Sequence, residues 1–199
     1  MQYIVPLGNP GEKYVNTRHN VAWFLIDTLL SEIGFSNPVS SARVSGRVAS
    51  GEWADSPMTV LYPDTFMNHS GVAVAKMVPK DVLASLIVVH DELDLPLGTI
   101  KIAFDRGAAG HNGVASIITE LGSTAFIRVR VGIAPRLLPE GAPSRPSGEA
   151  TQQFVLGRFT APELTFLSTE VYPTFKAVLE CLLKEGVTSA MNRFHTSTN

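Results

Sequence analysis

Residues 86–92, Leu86-Ile-Val-Val-His-Asp-Glu92, place four consecutive apolar residues directly before a histidine and two acidic residues. A short continuous apolar run is typical of a strand covered on both faces, as the strands of a parallel sheet are. In such sheets the functional site usually lies beyond the carboxyl ends of the strands. The stretch therefore predicts a buried strand over 86–89, with the polar residues that follow it near a site.

Strand and helix patterns alternate along the rest of the chain. Helices are predicted over 20–33, 69–78, 112–121, 162–185 and 187–195, and further strands over 2–7, 43–53, 58–62, 99–104 and 126–133. Asn20 is a plausible N-cap of the first helix. Pro173 is expected to kink or split the long helix, and Pro6 is unfavourable in a strand because it cannot donate to a sheet ladder.

We predict a single α/β domain over residues 1–199, with a mixed, mostly parallel, twisted sheet flanked by helices. Apolar residues make up 45% of the chain and charged residues 17%, which is ordinary for a globular protein with a core. Residues 134–150 are rich in proline, glycine and serine, and are predicted to form a flexible loop.

Several sequence features concern the compartment. We expect no transmembrane helix, because no apolar run reaches about 18 residues, and no signal peptide, because the N-terminus lacks a basic start. The single cysteine, Cys181, cannot form an internal disulfide and is predicted to be a buried thiol in a helix. A cytoplasmic location is therefore predicted.

The charge is distributed unevenly. The net charge is −2, yet residues 98–136 carry five basic and two acidic side chains, whereas residues 1–97 carry six basic and ten acidic ones. A local basic face would favour a phosphate-bearing partner. Ordinary solvated surface charge explains the same composition, and the composition does not decide between the two.

Two residues are candidates for acid–base chemistry. His19 precedes the predicted helix start, where the helix dipole disfavours added positive charge and so favours the neutral imidazole that a general base requires. Asp91 is the candidate carboxylate that would fix the histidine tautomer and oppose that effect. Alone, His19 is more often structural than catalytic, and Asp91 is also an ordinary turn residue.

Three asparagines follow predicted strands. Asn9, Asn68 and Asn112 offer uncharged amide donors and acceptors that suit a peptide backbone or an ester carbonyl. Together with one histidine they would make a hydrolytic site in which water is the nucleophile. Asn9 as a turn residue and Asn112 as a helix N-cap are equally reasonable interpretations.

Other mechanisms have no sequence support. The chain has no H-E-x-x-H motif and no paired C-x-x-C motif for zinc, no G-x-S-x-G nucleophile elbow and no G-x-x-x-x-G-K-[ST] phosphate-binding loop. Residues 107–110 (GAAG) before a predicted helix could bind a phosphate through backbone N–H groups, which is a weak indication by itself.

Motifs along nearly the whole chain resemble those of bacterial-type peptidyl-tRNA hydrolases, in the order of that family. They are residues 8–11 (GNPG), Tyr14, 17–20 (TRHN), 63–71 (PDTFMNHSG), 90–96 (HDELDLP), 110–113 (GHNG), 126–133 (FIRVRVGI), 154–157 (FVLG) and 190–195 (AMNRFH). The resemblance implies an α/β enzyme that hydrolyses the ester bond between a peptide and tRNA, without a metal or other cofactor, usually as a monomer with no obligate protein partner.

The resemblance also implies roles for the catalytic residues. His19 would be the general base that activates water, and Asp91 would hold His19 in its basic form. Asn9 would contact the peptide and help to distinguish blocked from free aminoacyl-tRNA. Asn68 and Asn112 would position the substrate near its scissile end.

Further residues would bind the tRNA. Tyr14 and Phe66 would line the site for the terminal nucleotide or the peptide, and His111 would help to place the tRNA end. Lys101 and Arg130 are candidates for contacts with acceptor-arm phosphates, which position RNA without reading its sequence.

The chain departs from the family pattern at several positions. Pro6 stands where the family usually has glycine, and Ala108 and Ala109 replace loop glycines, with residues 105–106 also altered. Ala103 occupies a position that often carries a basic residue, for which Arg106 could compensate.

Two other functions stay open. One is a non-catalytic RNA-binding protein on the same fold, since fold alone does not prove catalysis. The other is a nucleoside-cleaving enzyme or a different hydrolase on a similar sheet, which would not explain the ordered motifs.

Overall fold

The computed structural model of the chain describes residues 1–135 and 148–195. Within these residues the strands are β1 (Gln2–Pro6), β2 (Val39–Ser41), β3 (Gly46–Trp53), β4 (Ser56–Pro63), β5 (Leu86–Pro96), β6 (Ile100–Phe104) and β7 (Ile127–Ala134). They form one sheet in the order β2-β3-β4-β1-β5-β7-β6. The central strands β4, β1, β5 and β7 run parallel, and the pairs β2–β3, β3–β4 and β6–β7 towards the two edges are antiparallel.

Helices cover both faces of this sheet. They are α1 (Val21–Glu32), α2 (Ser70–Met77), α3 (Asn112–Leu121), α4 (Glu149–Leu156), α5 (Ala161–Phe166) and α6 (Tyr172–His195). Helices α1 and α6 pack on one face, and α2 and α3 pack on the other. The predicted α/β class, with a mixed sheet flanked by helices, is confirmed.

The β5 strand shows why the apolar run at its start predicts burial on both faces. Ile87 and Val89 belong to the core beneath α1 and α6, whereas Val88 belongs to the core beneath α2 and α3. The predicted end of this strand at residue 89 is wrong, because β7 continues to pair with β5 through Glu92 and again at Pro96. The polar residues that follow the apolar run therefore lie inside the sheet.

Pro6 is tolerated because it is the last residue of β1. The N–H of the next residue, Leu7, donates to the carbonyl of Val89 on the β5 side at 2.9 Å. Alternate residues of a strand point their N–H groups to opposite neighbours, so position 6 faces β4. Pairing between β1 and β4 stops at Ile4, and no ladder hydrogen bond is lost at Pro6.

The C-terminal helices match the predicted pattern, except that the irregular segment comes just before Pro173 and not at it. A π-helical segment, Leu167–Val171, joins α5 to α6 and ends two residues before Pro173. Proline removes one helical hydrogen bond and clashes with the preceding turn, which a local π segment accommodates. Gly186, with φ 83°, breaks α6 between the two helices predicted over 162–185 and 187–195.

The prediction for residues 134–150 is only partly open to comparison. Residues 136–147 lie outside the described residues, as do 196–199, so the flexible loop and the extent of one domain over all of 1–199 stay predictions. Helix α4 begins at Glu149 and was not predicted. In the described part of the chain, no helix combines the length and apolarity needed to cross a bilayer. Cys181 is buried in α6, as predicted.

Candidate active site

A cavity of about 590 Å³ opens where β1 and the middle of β5 meet the segments before α1, α2 and α3. Eight of the ten predicted site residues line it: Asn9, Tyr14, His19, Phe66, Asn68, Asp91, His111 and Asn112. Lys101 and Arg130 do not line this cleft. The structure thus brings together side chains that are up to about a hundred positions apart in the sequence.

His19 and Asp91 form the central pair of the cleft. The Nδ1 atom of His19 lies 2.7 Å from Oδ1 of Asp91, whose side chain is only 3% exposed. A carboxylate accepts and does not donate, so His19 carries its proton on Nδ1 and leaves Nε2 unprotonated when neutral. Sequence spacing alone favours a turn role for Asp91, and the structure replaces that interpretation with a buried strand residue.

The electrostatics of His19 differ from the helix-dipole expectation. Burial lowers the pKa of His19, but the charge of Asp91 and its hydrogen bond together outweigh burial and raise the pKa above the ordinary histidine value. His19 lies in a 3-10 turn (Arg18–Asn20) before α1, and its ring is hydrogen-bonded to the Asp91 carboxylate. The effect of Asp91 on the His19 pKa is therefore larger than the predicted effect of the helix dipole, which favours the neutral ring.

Asp91 binds a second imidazole. The Nε2 atom of His111 lies 3.0 Å from the same Oδ1 atom that accepts from His19. Burial favours the protonated carboxyl, but the charges of His19 and His111 and both hydrogen bonds hold the pKa of Asp91 far below its usual range. Asp91 is therefore an ionised carboxylate with two ring partners.

His111 also caps α3, which corrects the prediction that Asn112 is the N-cap. The Nδ1 atom of His111 accepts from the backbone N–H groups of Gly113 and Val114 at 3.1 and 3.3 Å. Asn112 is instead the first residue of α3, with an exposed side chain that lines the cleft. This position frees its amide for a ligand.

Asn9 is held by two other segments. Its backbone N–H donates to Oδ1 of Asn20, and Nδ2 of Asn20 donates to the Asn9 carbonyl, both at 2.9 Å. The Asn9 Oδ1 atom accepts from the Met67 N–H at 2.9 Å, which directs its Nδ2 hydrogens to the cleft. Asn20 is the N-cap residue of α1, as predicted, but its side chain makes no cap hydrogen bond, because its amide is used on Asn9.

The rim of the cleft is aromatic and polar. Phe66 is 57% exposed, although it lies beside the buried Met67. Tyr14 also lines the cleft, with its ring under the Lys13 ammonium, whose Nζ is 4.8 Å from the ring centroid. Asn68 is exposed and lines the cleft as well. Exposed aromatic and amide groups of this kind can contact a nucleobase or a peptide.

Sequence reasoning missed one wall of the cleft, which α4 supplies. Thr151, Gln152 and Val155 line the cavity from this helix. Arg18, next to His19, donates to the Arg158 carbonyl and to Glu163, both at 2.7 Å, and its guanidinium stacks on Phe154 and Phe159. The helix-favouring residues at the start of this segment, Glu149, Ala150, Gln152 and Gln153, would have been the sequence signal for this helix.

A second cavity, of about 330 Å³, lies beside the cleft and is basic. Arg106, Arg128 and Arg130 line it together with Ala103. Burial, followed by the charge of Arg130, lowers the pKa of Arg128. Its Nη1 donates to the Gly107 carbonyl at 2.7 Å, and its buried Nε has no hydrogen-bond partner among residues 1–135 and 148–195.

Lys101 and Arg130 occupy opposed positions in the antiparallel pair β6–β7, and Ala103 faces Arg128. Arg130 donates to Glu92 through Nε at 2.9 Å. Of the two predicted phosphate contacts, the structure thus places only Arg130 in the basic cavity, and adds Arg106 and Arg128 there.

The donor atoms of His19, Asp91 and His111 lie within 4.8 Å of one another, a spacing that could hold a metal ion. However, His111 accepts two N–H groups at Nδ1 and must carry its proton on Nε2, the atom that would bind the ion. A metal ligand needs a lone pair at the binding nitrogen. The hydrogen-bond pattern therefore fits a proton-handling cluster better than a metal site.

Known proteins similar to this chain share one description. A family model described as peptidyl-tRNA hydrolase matches residues 3–199. The peptidyl-tRNA hydrolase of Geobacter sp. (strain M21) is 41% identical over 194 residues, which cover 96% of each chain. That of Chloroflexus aurantiacus (strain ATCC 29366 / DSM 635 / J-10-fl) is 38% identical over 199 residues, covering 98% of this chain and 99% of the relative.

The solved structures that are similar to this chain carry the same description as these sequence relatives. The crystal structure of peptidyl-tRNA hydrolase from Acinetobacter baumannii superposes with a TM-score of 0.82 at 29% identity, covering 100% of this chain and 96% of that chain. A complex of peptidyl-tRNA hydrolase with N-propanol gives a TM-score of 0.84 at 28% identity over the same shares. The chain belongs to the peptidyl-tRNA hydrolase family.

Proposed function

We propose that this protein hydrolyses the ester bond between a peptide, or an N-blocked amino acid, and tRNA, and that His19 is the general base. The observation that carries the mechanism is the 2.7 Å contact from His19 Nδ1 to Asp91 Oδ1, which leaves the other ring nitrogen as the free base in the cleft. Family membership supports the choice of substrate.

The reaction needs water and the groups of the cleft. His19 Nε2 takes a proton from water as the water oxygen attacks the ester carbonyl carbon. The tetrahedral intermediate then breaks its bond to the ribose oxygen, which takes the proton back from the imidazolium. The products are a peptide with a free carboxyl group and a tRNA with a free terminal hydroxyl. Asp91 stabilises the imidazolium that forms between the two steps.

Asn9, Asn68 and Asn112 supply uncharged donors around the reacting group. The Asn9 Oδ1 atom is fixed by Met67, so its Nδ2 atom is a preoriented donor for a peptide carbonyl or the developing oxyanion. A buried donor that pairs with the amide of a blocked substrate is left unpaired by a free aminoacyl group. This supports Asn9 as the residue that selects peptidyl-tRNA.

The basic cavity supports contact with the tRNA backbone. Arg106, Arg128 and Arg130 present guanidinium groups next to the cleft, while Lys101 lies opposite Arg130 on the neighbouring strand. Phosphates of the acceptor arm are the matching ligand class, and contacts to them do not read sequence. Arg106 supplies a positive charge close to Ala103, where the family often has a basic residue. Tyr14, Phe66 and His111 are proposed to contact the terminal nucleotide or the peptide.

We also propose that the protein acts in the cytoplasm as a monomer, without an obligate protein partner or a cofactor. The proposed chemistry uses only water and side chains of one chain. Size-exclusion chromatography with light scattering, with and without tRNA, tests the monomer; a stable dimer that loses activity on dissociation would overturn it.

The deciding experiment measures release of N-blocked amino acid from charged tRNA, with unblocked aminoacyl-tRNA as the control substrate. Wild type is compared with His19→Ala and with His69→Ala, a matched histidine variant whose side chain is exposed and does not line the cleft. We expect release by wild type and His69→Ala, none by His19→Ala, and little release from the unblocked substrate.

Other outcomes of this experiment would support one of the two alternative functions. Tight tRNA binding without release by folded wild type would favour a non-catalytic RNA-binding protein. Cleavage of nucleosides or simple esters, with none of peptidyl-tRNA, would favour a different hydrolase.

A further inference from the structure

We propose that His111 is a positioning residue that controls the basicity of His19 through the Asp91 oxygen that both rings share. This inference rests on the proposed function of His19 as the base. It assigns His111 a role in proton handling beyond contact with the tRNA end.

The hydrogen bonds of His111 fix its tautomer. Two backbone N–H groups, those of Gly113 and Val114, point at Nδ1 from 3.1 and 3.3 Å. A nitrogen that accepts hydrogen bonds carries no proton, so the ring proton of His111 is on Nε2. That proton is directed at Oδ1 of Asp91 across 3.0 Å.

The N-terminus of α3 stabilises this tautomer. Moving the proton to Nδ1 would set an N–H group against two other N–H groups. Adding a proton there would also place a positive charge at the N-terminus of α3, where the helix dipole opposes it. The N-terminus of α3 thus keeps the His111 ring proton on Nε2, from which it is donated to Asp91.

Three titratable groups next to Asp91 on β5 and β7 are paired or neutral, namely His90, Glu92 and Arg130. His90 packs its ring edge against His111 with centroids 4.7 Å apart, and burial holds the pKa of His90 well below the ordinary value. Its Nδ1 donates to the Asp91 carbonyl at 2.8 Å. Glu92 is paired with Arg130.

Two more charges lie further out. Arg18, adjacent to His19, is paired with Glu163. Arg128 lies on the α3 side of β7 and donates to the Gly107 carbonyl. The carboxylate of Asp91 is therefore the charge in direct contact with His19, and the second donor on that carboxylate is His111.

Because His19 and His111 share one oxygen of Asp91, His111 affects the pKa of His19. Each N–H donor stabilises the negative charge of Asp91, so donation from His111 weakens the pull of that charge on the His19 imidazolium. Without His111 the imidazolium would be stabilised more, and the pKa of His19 would rise further. Because the base must be neutral, the acid limb of the activity profile would move to higher pH.

The test uses two variants of His111. His111→Asn keeps a good N-cap residue on α3 but is too short to donate to Asp91, whereas His111→Ala loses both functions. We expect the acid-limb midpoint of kcat/KM on N-blocked aminoacyl-tRNA to rise by about 0.5–1 pH unit in both variants. That shift is a loss of roughly three- to tenfold in kcat/KM below the midpoint, where one pKa unit is a factor of ten.

Two outcomes of the profiles would overturn the inference. Unchanged midpoints with a raised KM would make His111 a substrate contact alone. A wild-type midpoint in His111→Asn, with a shift only in His111→Ala, would make capping of α3 its whole role.

Nitrogen-15 NMR of the histidine rings keeps this inference separate from the proposed function. We expect His111 to carry its proton on Nε2 and His19 on Nδ1, and the His19 titration midpoint to rise in His111→Asn. Absence of hydrolysis by wild type would end the proposed function but leave this link testable. A His19 midpoint that does not move, or a His111 proton on Nδ1, would overturn the link whatever the activity.

Discussion

The cleft and the basic cavity are neighbours that differ in the sign of their charge. In the cleft, the buried Asp91 carboxylate accepts hydrogen bonds from His19 and His111, so a negative charge organises the cluster. The basic cavity is lined by three guanidinium groups, and Glu92, which lines the cleft, pairs with that of Arg130. Asp91 and Glu92 are adjacent on β5, so this one strand contributes a carboxylate to the histidine cluster and another to an arginine of the basic cavity.

Because their charges differ, we expect the cleft and the basic cavity to have separate functions, catalysis in the cleft and tRNA binding in the cavity. In the proposed mechanism, the cleft supplies the base, its carboxylate partner and the amides for attack by water on an ester. The positive charge of the cavity is proposed to bind phosphate without taking part in the reaction. Variants in the cleft should therefore change kcat, and variants in the cavity should change tRNA affinity and its salt dependence. The predictions below test that separation.

The largest effect is expected from His19→Ala. Loss of a general base typically costs about 10²–10⁴-fold in rate. Since His19 lies outside the basic cavity, tRNA affinity should stay within about twofold of wild type, because phosphate contacts dominate that affinity. Single-turnover kinetics and filter binding measure the two quantities separately. A comparable loss of affinity would show that the cleft and the cavity are not separable.

Asp91→Asn should have a smaller effect on the rate and a distinct effect on pH dependence. Asp91 raises the pKa of His19, so removing its charge should lower that pKa and move the acid limb of the kcat profile to lower pH. We expect kcat at the plateau to fall by roughly ten- to a hundredfold, because the asparagine can present an N–H group to Nδ1 and favour the wrong tautomer. A profile with the wild-type midpoint would argue against the pairing.

The arrangement around Asp91 also shows how far sequence reasoning reaches. Asn9, His19 and Asp91 could be assigned to one site because they follow or lie near strands of one sheet, and because their motifs resemble a known family. The sharing of a single Asp91 oxygen by His19 and His111 could not be predicted, since it depends on how β5 continues past residue 89 and where α3 begins. Polar residues end an apolar pattern without ending a strand.

The basic cavity was predicted less well than the cleft. Alternation along 99–104 and 126–133 predicts both strands, and hence that Arg128 and Arg130 share a face. The register between β6 and β7 decides which residue faces which, and sequence spacing does not contain it. Arg128, which lies deepest in the cavity, was therefore counted as part of a basic segment but not chosen as a site residue.

Arg106→Gln tests the cavity with a modest expected effect. Arg106 is exposed at the mouth of the cavity, so its removal should leave the fold and kcat unchanged. We expect tRNA affinity to fall a few-fold and the slope of log affinity against log salt to decrease by about one, the value for one lost phosphate contact. Arg43→Gln is the matched control, because Arg43 is exposed beside β2 at the far edge of the sheet. Equal slopes in the two variants would remove the cavity from tRNA binding.

The smallest effect is expected from Ala109→Gly, in the loop that lines both the cleft and the basic cavity. Ala109 has φ 50°, a left-handed conformation that is unfavourable for a residue with a Cβ atom. Glycine relieves this strain but adds entropy to the unfolded chain, so we expect a net gain of about 0.5–1 kcal/mol in the free energy of unfolding. Ala108→Gly, next to it and without a positive φ, should lose stability through the same entropy term. Urea unfolding of both variants measures the difference, and equal destabilisation would show that the loop is unstrained and the two sites are joined by a relaxed connection.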